Sequence, residues 1–245
     1  MNLYRAYVSA TILPLLRTPS YWVPLVIFPT LLYSFFGLSA SQDDPELANI
    51  LMASWSVFAV IGIGFFQFGV SISQSREARW EEYARTLPIG GFPRIVAQIT
   101  AAAIFLAIAL TLLWSVGSFA SAVDLSAEQY VKLLAVLMIG IIPFVLMGAA
   151  LGYSVPARGA VPIANLFYLP LSYLGGLWLP PQMLPDLVAQ ISPYTPTRQL
   201  GEIAWASVLG TFPPAISVFG LLIFSVISAA ITLIMWRRDE TKRTS

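Results

Sequence analysis

Long apolar runs alternate with short polar segments along the chain. A helix needs roughly 20 apolar residues to cross a hydrocarbon core of about 30 Å, and six runs approach or exceed that length. They cover residues 21–38, 50–74, 95–119, 131–153, 161–179 and 212–236. Pro24 and Pro29 lie within the first and shortest run, which can still cross because neighbouring helices satisfy freed backbone carbonyls. The pattern predicts an all-α membrane protein, with six transmembrane helices in one domain that covers residues 1–245.

Composition narrows the possible chemistry. Hydrophobic residues make up 58% of the chain and charged residues 10%, with a mean hydropathy of +0.78, which leaves too little polar surface for a soluble globule. The net charge of +1 gives no basis for nucleic-acid binding. The chain has no Cys and no His, which excludes disulfides and the usual zinc ligands. We therefore expect no metal site and no catalytic residue.

The basic residues predict the orientation in the membrane. Of the 13 Lys and Arg residues, all but Lys132 and Arg198 lie at the two termini or in alternate connecting segments. Lys and Arg are retained on the cytoplasmic side of membrane proteins. We expect a multi-pass protein of the cell inner (plasma) membrane with both termini in the cytoplasm.

One connecting segment, residues 76–87, is unusually charged. As a helix that ends before Pro88, it places Trp80, Tyr83 and Leu87 on one face, the spacing of an amphipathic helix at a membrane surface. Its charged residues are Arg76, Glu77, Arg79, Glu81, Glu82 and Arg85. The segment is either a docking element for a cytoplasmic partner or a solvated helix supported by an i, i+4 pair worth about 0.2–0.5 kcal/mol.

Two further segments predict helices that do not cross the membrane. Residues 3–16 form either an interfacial helix or a ragged start to the first span, and the cost of burying Arg17 favours the interfacial helix. Residues 180–210 are rich in proline but carry apolar side chains at helical spacing, so part of this segment is expected to pack back into the membrane rather than form a plain loop. Within it, Arg198 and Glu202 can form a structural pair across one turn.

The chain has no standard site for ATP. A phosphate-binding Walker A loop needs Gly-Lys followed by Ser or Thr, whereas Lys132 follows Val131 and Lys242 follows Thr241. The apolar runs also carry almost no ionisable residue of the kind that ion-coupled carriers use. If ATP drives this protein, another polypeptide must hydrolyse it.

Four segments together resemble the membrane subunit, or permease, of a type-2 ABC exporter. They are Arg17-Thr-Pro19 before a proline-containing first span, the charged segment with Glu77 eleven residues before Pro88, the stretch from Gly175 through Ile191-Ser-Pro-Tyr-Thr-Pro196, and the basic tail Trp236-Arg-Arg238. The resemblance covers nearly the whole chain. It implies an N-terminal interfacial helix, a cytoplasmic coupling helix at residues 76–87 and an extracellular re-entrant helical hairpin at residues 180–210.

The resemblance also implies partners and site residues. Two ABC ATPase subunits would bind ATP and Mg²⁺, so this chain itself would hold no cofactor, and a second permease, identical or different, would complete a membrane-embedded complex. The ATPase-coupling residues would be Glu77, Arg79, Trp80, Glu81, Tyr83 and Arg85. The first, second and fifth spans would face the dimer axis, and the path for an exported amphipathic or hydrophobic substrate would include Phe66, Tyr168 and Tyr173.

Other interpretations of the same residues stay open. Aromatic side chains near the ends of spans are often interface anchors rather than pathway residues, and a cluster such as that around Phe66 can face lipid. The chain could also be a non-transporting membrane scaffold or sensor component. An intramembrane enzyme is a further alternative, but it would need positioned acids, bases or metal ligands.

Overall fold

The computed structural model describes residues 13, 17–77 and 92–244, and none of these residues lies in a β-strand. The principal helices are α1 (Pro19–Leu32), α2 (Pro45–Ile63), α3 (Ser71–Glu77), α4 (Phe92–Ala120), α5 (Ala127–Gly140), α6 (Ile142–Ser154), α7 (Ala157–Leu174), α8 (Asp186–Ile191), α9 (Pro196–Leu209) and α10 (Ala215–Thr244). The prediction of an all-α fold is confirmed.

Five helical stretches among the described residues are long and apolar enough to cross a membrane. They are Trp22–Ala40, Pro45–Glu77, Val96–Ala120, Ala127–Ser154 and Ala215–Thr241. The first continues α1 through a π-helical segment, Tyr33–Gly37, and the second joins α2 to α3 through another, Gly64–Val70. Five of the six predicted runs correspond to these stretches, with ends that differ by at most five residues. The remaining run, 161–179, corresponds to α7, in which Arg158 and Asn165 lower the hydropathy.

We call Pro45–Glu77 the second stretch and name the two ends of the bundle after its first and last residues. At the Pro45 end, the amide of Asn49 donates to the carbonyl oxygen of Asp124 at 3.1 Å, just before α5 begins. At the Glu77 end, the hydroxyl of Ser73 donates to the carbonyl oxygen of Val155 at 2.6 Å, between α6 and α7. Thus α7 begins at the Glu77 end and runs towards the Pro45 end.

The second stretch is the centre of the bundle. Every residue from 51 to 65 is buried, because α1, α4, α6, α7 and α9 all pack around it. Helix α10 is peripheral, and it exposes a row of large apolar side chains that only a lipid or protein environment can cover. They include Ile216, Phe219, Leu222, Ile223 and Val226.

Glycines bring the backbones of the second stretch and α6 into direct contact. A Cβ atom on Gly69 would lie 2.9 Å from the carbonyl oxygen of Gly148, and one on Gly152 would lie 2.7 Å from the carbonyl oxygen of Gly69. Small residues permit this approach, as they do at many membrane helix interfaces. A side chain at Gly69 or Gly152 would therefore push the two helices apart.

The chain after α7 makes a compact helical hairpin. A 3₁₀ turn (Pro181–Met183), the short α8 and a second 3₁₀ turn (Ser192–Tyr194) lead into α9, which packs against α2, α5 and α10. Thr195 caps the start of α9, and the left-handed Gly210 (φ 68°) ends it. Arg198 and Glu202 form the predicted ion pair at 2.6 Å. Trp205 donates from its indole nitrogen to the hydroxyl of Ser54 at 2.8 Å, which fixes α9 against α2.

Two predicted elements fall mainly beyond the described ranges. Of the expected interfacial helix at residues 3–16, the structure describes residue 13 alone. Of the expected coupling helix at residues 76–87, it describes Arg76 and Glu77. Both elements stay predictions.

Candidate functional site

A cavity of about 580 Å³ lies between α1, the second stretch and α7. It begins near the Glu77 end and extends to the middle of the bundle. Its lining residues are Thr18, Pro24, Leu25, Phe28, Pro29, Gly62, Phe66, Val70, Gln74, Val161, Asn165 and Tyr168. None of these residues carries a formal charge, and the cavity has the volume of a typical small-molecule site.

The cavity brings together two of the three predicted pathway residues. The rings of Phe66 and Tyr168 meet edge to face, with 5.8 Å between their centroids. The hydroxyl of Tyr168 donates to the carbonyl oxygen of Phe58 at 3.2 Å, so this side chain also ties α7 to α2. Gly62 leaves room for that hydroxyl, since a Cβ atom on Gly62 would lie 3.0 Å from it. Tyr168 is therefore held in a fixed position at the wall of the cavity.

Tyr173, the third predicted pathway residue, is not among the residues that line the cavity. It lies in the last turn of α7, nearer to the Pro45 end. Aromatic side chains pack together beside α2, on the Pro45 side of Tyr168. Phe58 contacts both Tyr168 (4.6 Å between ring centroids) and Trp178 (6.0 Å), and Trp178 contacts Trp55 at 6.1 Å. This aromatic cluster bounds the cavity towards the Pro45 end.

The structure describes one of the six predicted ATPase-coupling residues, Glu77. Arg79, Trp80, Glu81, Tyr83 and Arg85 lie outside the described residues. A carboxylate oxygen of Glu77 accepts a hydrogen bond from the backbone N–H of Ala157 at 2.9 Å. Ala157 is the first residue of α7, whose preceding residue, Pro156, provides no side-chain cap. Glu77 lies 80 residues earlier in the chain, yet it supplies the hydrogen-bond acceptor and the negative charge that stabilise the start of α7.

Arg76 makes a second set of contacts at the same level. Its guanidinium forms a two-pronged ion pair with the carboxylate of Asp239 on α10, with 3.1 Å between Arg76 Nε and Asp239 Oδ2. It also donates to the carbonyl oxygen of Gly152, near the end of α6, at 2.6 Å. The Arg76 and Asp239 side chains are only 19% and 8% exposed. We call Arg76, Glu77, Gly152, Ala157 and Asp239 the junction.

Sequence reasoning placed Arg76 and Glu77 in the charged segment but missed Asp239. The one available signal was an acidic residue directly after the basic pair Arg237-Arg238, at the end of a long apolar run. Nothing in the local pattern identifies its partner, which lies 163 residues earlier in the chain.

Comparison with known proteins agrees with this architecture. The family model described as ABC-2 type transporter matches residues 2–200. A curated relative from Bacillus subtilis (strain 168), "Putative transport permease YvfS", is 24% identical over 244 residues, with 98% of this chain and 99% of the relative covered. The chain is therefore a multi-pass membrane protein, and it belongs to the ABC-2 type transporter family.

Proposed function

We propose that this chain is the membrane subunit of an ATP-driven exporter. Two such subunits, identical or different, would form a path across the inner (plasma) membrane, and two separate ATPase subunits would drive it from the cytoplasm. Family membership supports the transport role. The lack of a Gly-Lys-Ser/Thr sequence supports an ATPase site in a partner chain.

A six-span topology with cytoplasmic termini is part of this proposal. Helix α7 is about 27 Å long at 1.5 Å per residue, close to the thickness of a hydrocarbon core. It begins beside Glu77 and extends towards the opposite end of the bundle. A crossing by α7 added to the five apolar stretches gives six, and places both termini at the Glu77 end. The excess of Lys and Arg at this end favours its cytoplasmic location.

The cavity is the observation that carries the proposal. Its deeper part is lined by Leu25, Phe28, Phe66 and other apolar groups, whereas uncharged polar groups such as Gln74 lie nearer the Glu77 end. A molecule with an apolar body and a polar end fits this gradient, because apolar surface leaves water while the polar end keeps hydrogen-bonding partners. We assign the cavity to the cytoplasmic part of the substrate path.

The coupling role of residues 76–87 belongs to the same proposal. Movement of the ATPases would displace this segment, and the helices joined to it would follow. Glu77 and Arg76 support the idea, since they link the start of the segment to α7, α6 and α10. A non-transporting scaffold would have no use for a substrate-sized cavity next to such a connection.

The test begins with affinity purification of the chain from its own cell membrane. A separate ATPase should co-purify, and the complex should hydrolyse ATP, whereas the isolated chain should not. N-phenyl-1-naphthylamine, a small apolar fluorescent probe, should stimulate hydrolysis by the wild-type complex. Val161→Trp, which places an indole ring in the cavity, should reduce that stimulation. Leu166→Trp, at a 69% exposed position of α7 outside the cavity lining, is the matched control. Absence of an ATPase partner, or equal stimulation of both variants, would overturn the proposal.

A further inference from the structure

The junction connects the segment after Glu77 to three helices through one dipeptide. Arg76 bonds to the carbonyl oxygen of Gly152 on α6 and to the carboxylate of Asp239 on α10. Glu77 bonds to the first amide of α7. The chain then continues directly into residues 78–91. Any displacement of that segment therefore acts on α6, α7 and α10 together.

The ion pair has the geometry of a rigid connection. Both ends of the Arg76 fork engage the Asp239 carboxylate, and planar two-pronged pairs fix orientation as well as distance. The third guanidinium nitrogen is held by Gly152, and the Tyr153 ring lies 5.9 Å from the guanidinium carbon. With the two side chains mostly withdrawn from solvent, salt screens the pair less than an exposed pair.

The position of Asp239 along α10 places the pair outside the hydrocarbon core. Asp239 lies about 36 Å from the start of α10 at 1.5 Å per residue, whereas the core is about 30 Å thick. Its location at the same level as the end of the second stretch means that the pair joins the two helices beyond the apolar part of the membrane. A charged connection there avoids the cost of an ionised pair in lipid.

We propose that the Arg76–Asp239 pair is a positioning element that transmits movement of the coupling segment to the last membrane helix, α10. This inference rests on the proposed function and adds a specific route to it. Without the pair, the coupling segment would still meet the ATPase and would still cap α7 through Glu77, but α10 would follow less closely, through its packing against α6 and α9 alone.

Movement of α10 can be measured with spin labels, because the chain has no native cysteine and labels attach to it only at introduced cysteines. Spin labels at Arg17→Cys, just before α1, and Arg238→Cys on α10, both exposed positions, report by pulsed electron resonance the separation of α10 from a helix that the junction does not contact. The complex with its ATPase is measured in lipid nanodiscs without nucleotide and with ATP plus orthovanadate. The wild-type complex should show a nucleotide-dependent change in this distance.

Asp239→Asn keeps the shape of the side chain and removes its charge. We expect it to retain ATPase co-purification and ATP hydrolysis while the population with the shifted distance falls about tenfold, the effect of losing a strong charge-assisted hydrogen bond. Lys132→Gln is the matched control, because it removes an exposed i, i+4 ion pair with Glu128 at the other end of the bundle. It should leave the distance change intact.

The outcomes separate the two proposals. A wild-type complex without ATP hydrolysis would refute the proposed function itself. A wild-type complex that hydrolyses ATP but shows no distance change, or an Asp239→Asn complex with an undiminished change, would refute the positioning role alone. If Asp239→Asn fails to assemble, Arg76→Lys keeps the charge but loses the two-pronged geometry. Failure of both variants to bind the ATPase, with Lys132→Gln unaffected, would show that the pair serves assembly and not transmission.

Discussion

The capping contact of Glu77 gives a prediction that distinguishes a role in capping α7 from a role in contacting the ATPase. If its carboxylate caps α7, Glu77→Ala should loosen the first turn of that helix even without an ATPase partner. Glu77→Gln should have a much smaller effect, because the side-chain oxygen of Gln can still accept the hydrogen bond from Ala157. A role confined to a partner contact would leave the isolated chain unchanged in both variants.

The contact sets the expected magnitude. Loss of a side-chain cap at a helix start costs about 1 kcal/mol, and loss of a negative charge there adds about 0.3 kcal/mol for an exposed group such as Glu77. The Ala variant therefore loses about 1.3 kcal/mol, which is close to a tenfold rise in local opening. The Gln variant loses only the charge contribution, and its opening should rise about twofold.

Hydrogen–deuterium exchange of the purified chain in nanodiscs measures this opening. The peptide that covers residues 157–165 should exchange faster in the order wild type, Glu77→Gln, Glu77→Ala. A peptide from α9 (Pro196–Leu209), which Glu77 does not contact, serves as the internal control. Wild-type exchange in Glu77→Ala would refute the capping role, and equal effects of Ala and Gln would show that charge matters more than the hydrogen bond.

Three further predictions concern packing, orientation and coupling. Gly152→Leu should lower the melting temperature of the detergent-purified chain by several degrees or prevent folding, because the new side chain must displace the backbone of the second stretch. Asp44→Cys should react with a membrane-impermeant maleimide in intact cells, while Glu82→Cys should react only after lysis, and the reverse pattern would contradict the proposed orientation. Trp80→Ala should weaken the affinity for the ATPase about 30-fold, as loss of an aromatic anchor does, and co-purification should fall. Lys132→Ala should leave binding unchanged. Unchanged binding in both variants would contradict the coupling role.

The sequence predicted five long apolar helical stretches well because length and hydropathy depend only on neighbouring residues. The predicted first run, 21–38, differs by one or two residues at each end from the helical stretch Trp22–Ala40. The same local reasoning found the Arg198–Glu202 pair, since one helical turn brings those side chains together. Such reasoning cannot pair Gly69 with Gly152, because these residues lie on different helices.

The site was harder to predict because its contacts join distant parts of the chain. Phe66 and Tyr168 were proposed from their aromatic character, but the cavity between them depends on how α1 and α7 pack against the second stretch. Glu77 stays a predicted coupling residue, and the fold adds a contact with α7 of the same chain that the local pattern does not predict. Asp239 directly follows the basic tail Trp236-Arg-Arg238, and only the fold brings it to Arg76 and buries it.

The length of α10 makes the junction responsive to bilayer thickness. Its apolar part, residues 215–236, is about 33 Å long, slightly more than an average core of 30 Å. A helix with excess apolar length relieves the mismatch by tilting, and a thinner bilayer demands more tilt. Because Arg76 holds α10 just beyond this apolar part, such tilt exerts a force on the Arg76–Asp239 ion pair. Lipid chain length should therefore change how firmly the junction connects α10 to the coupling segment, without any change in the sequence.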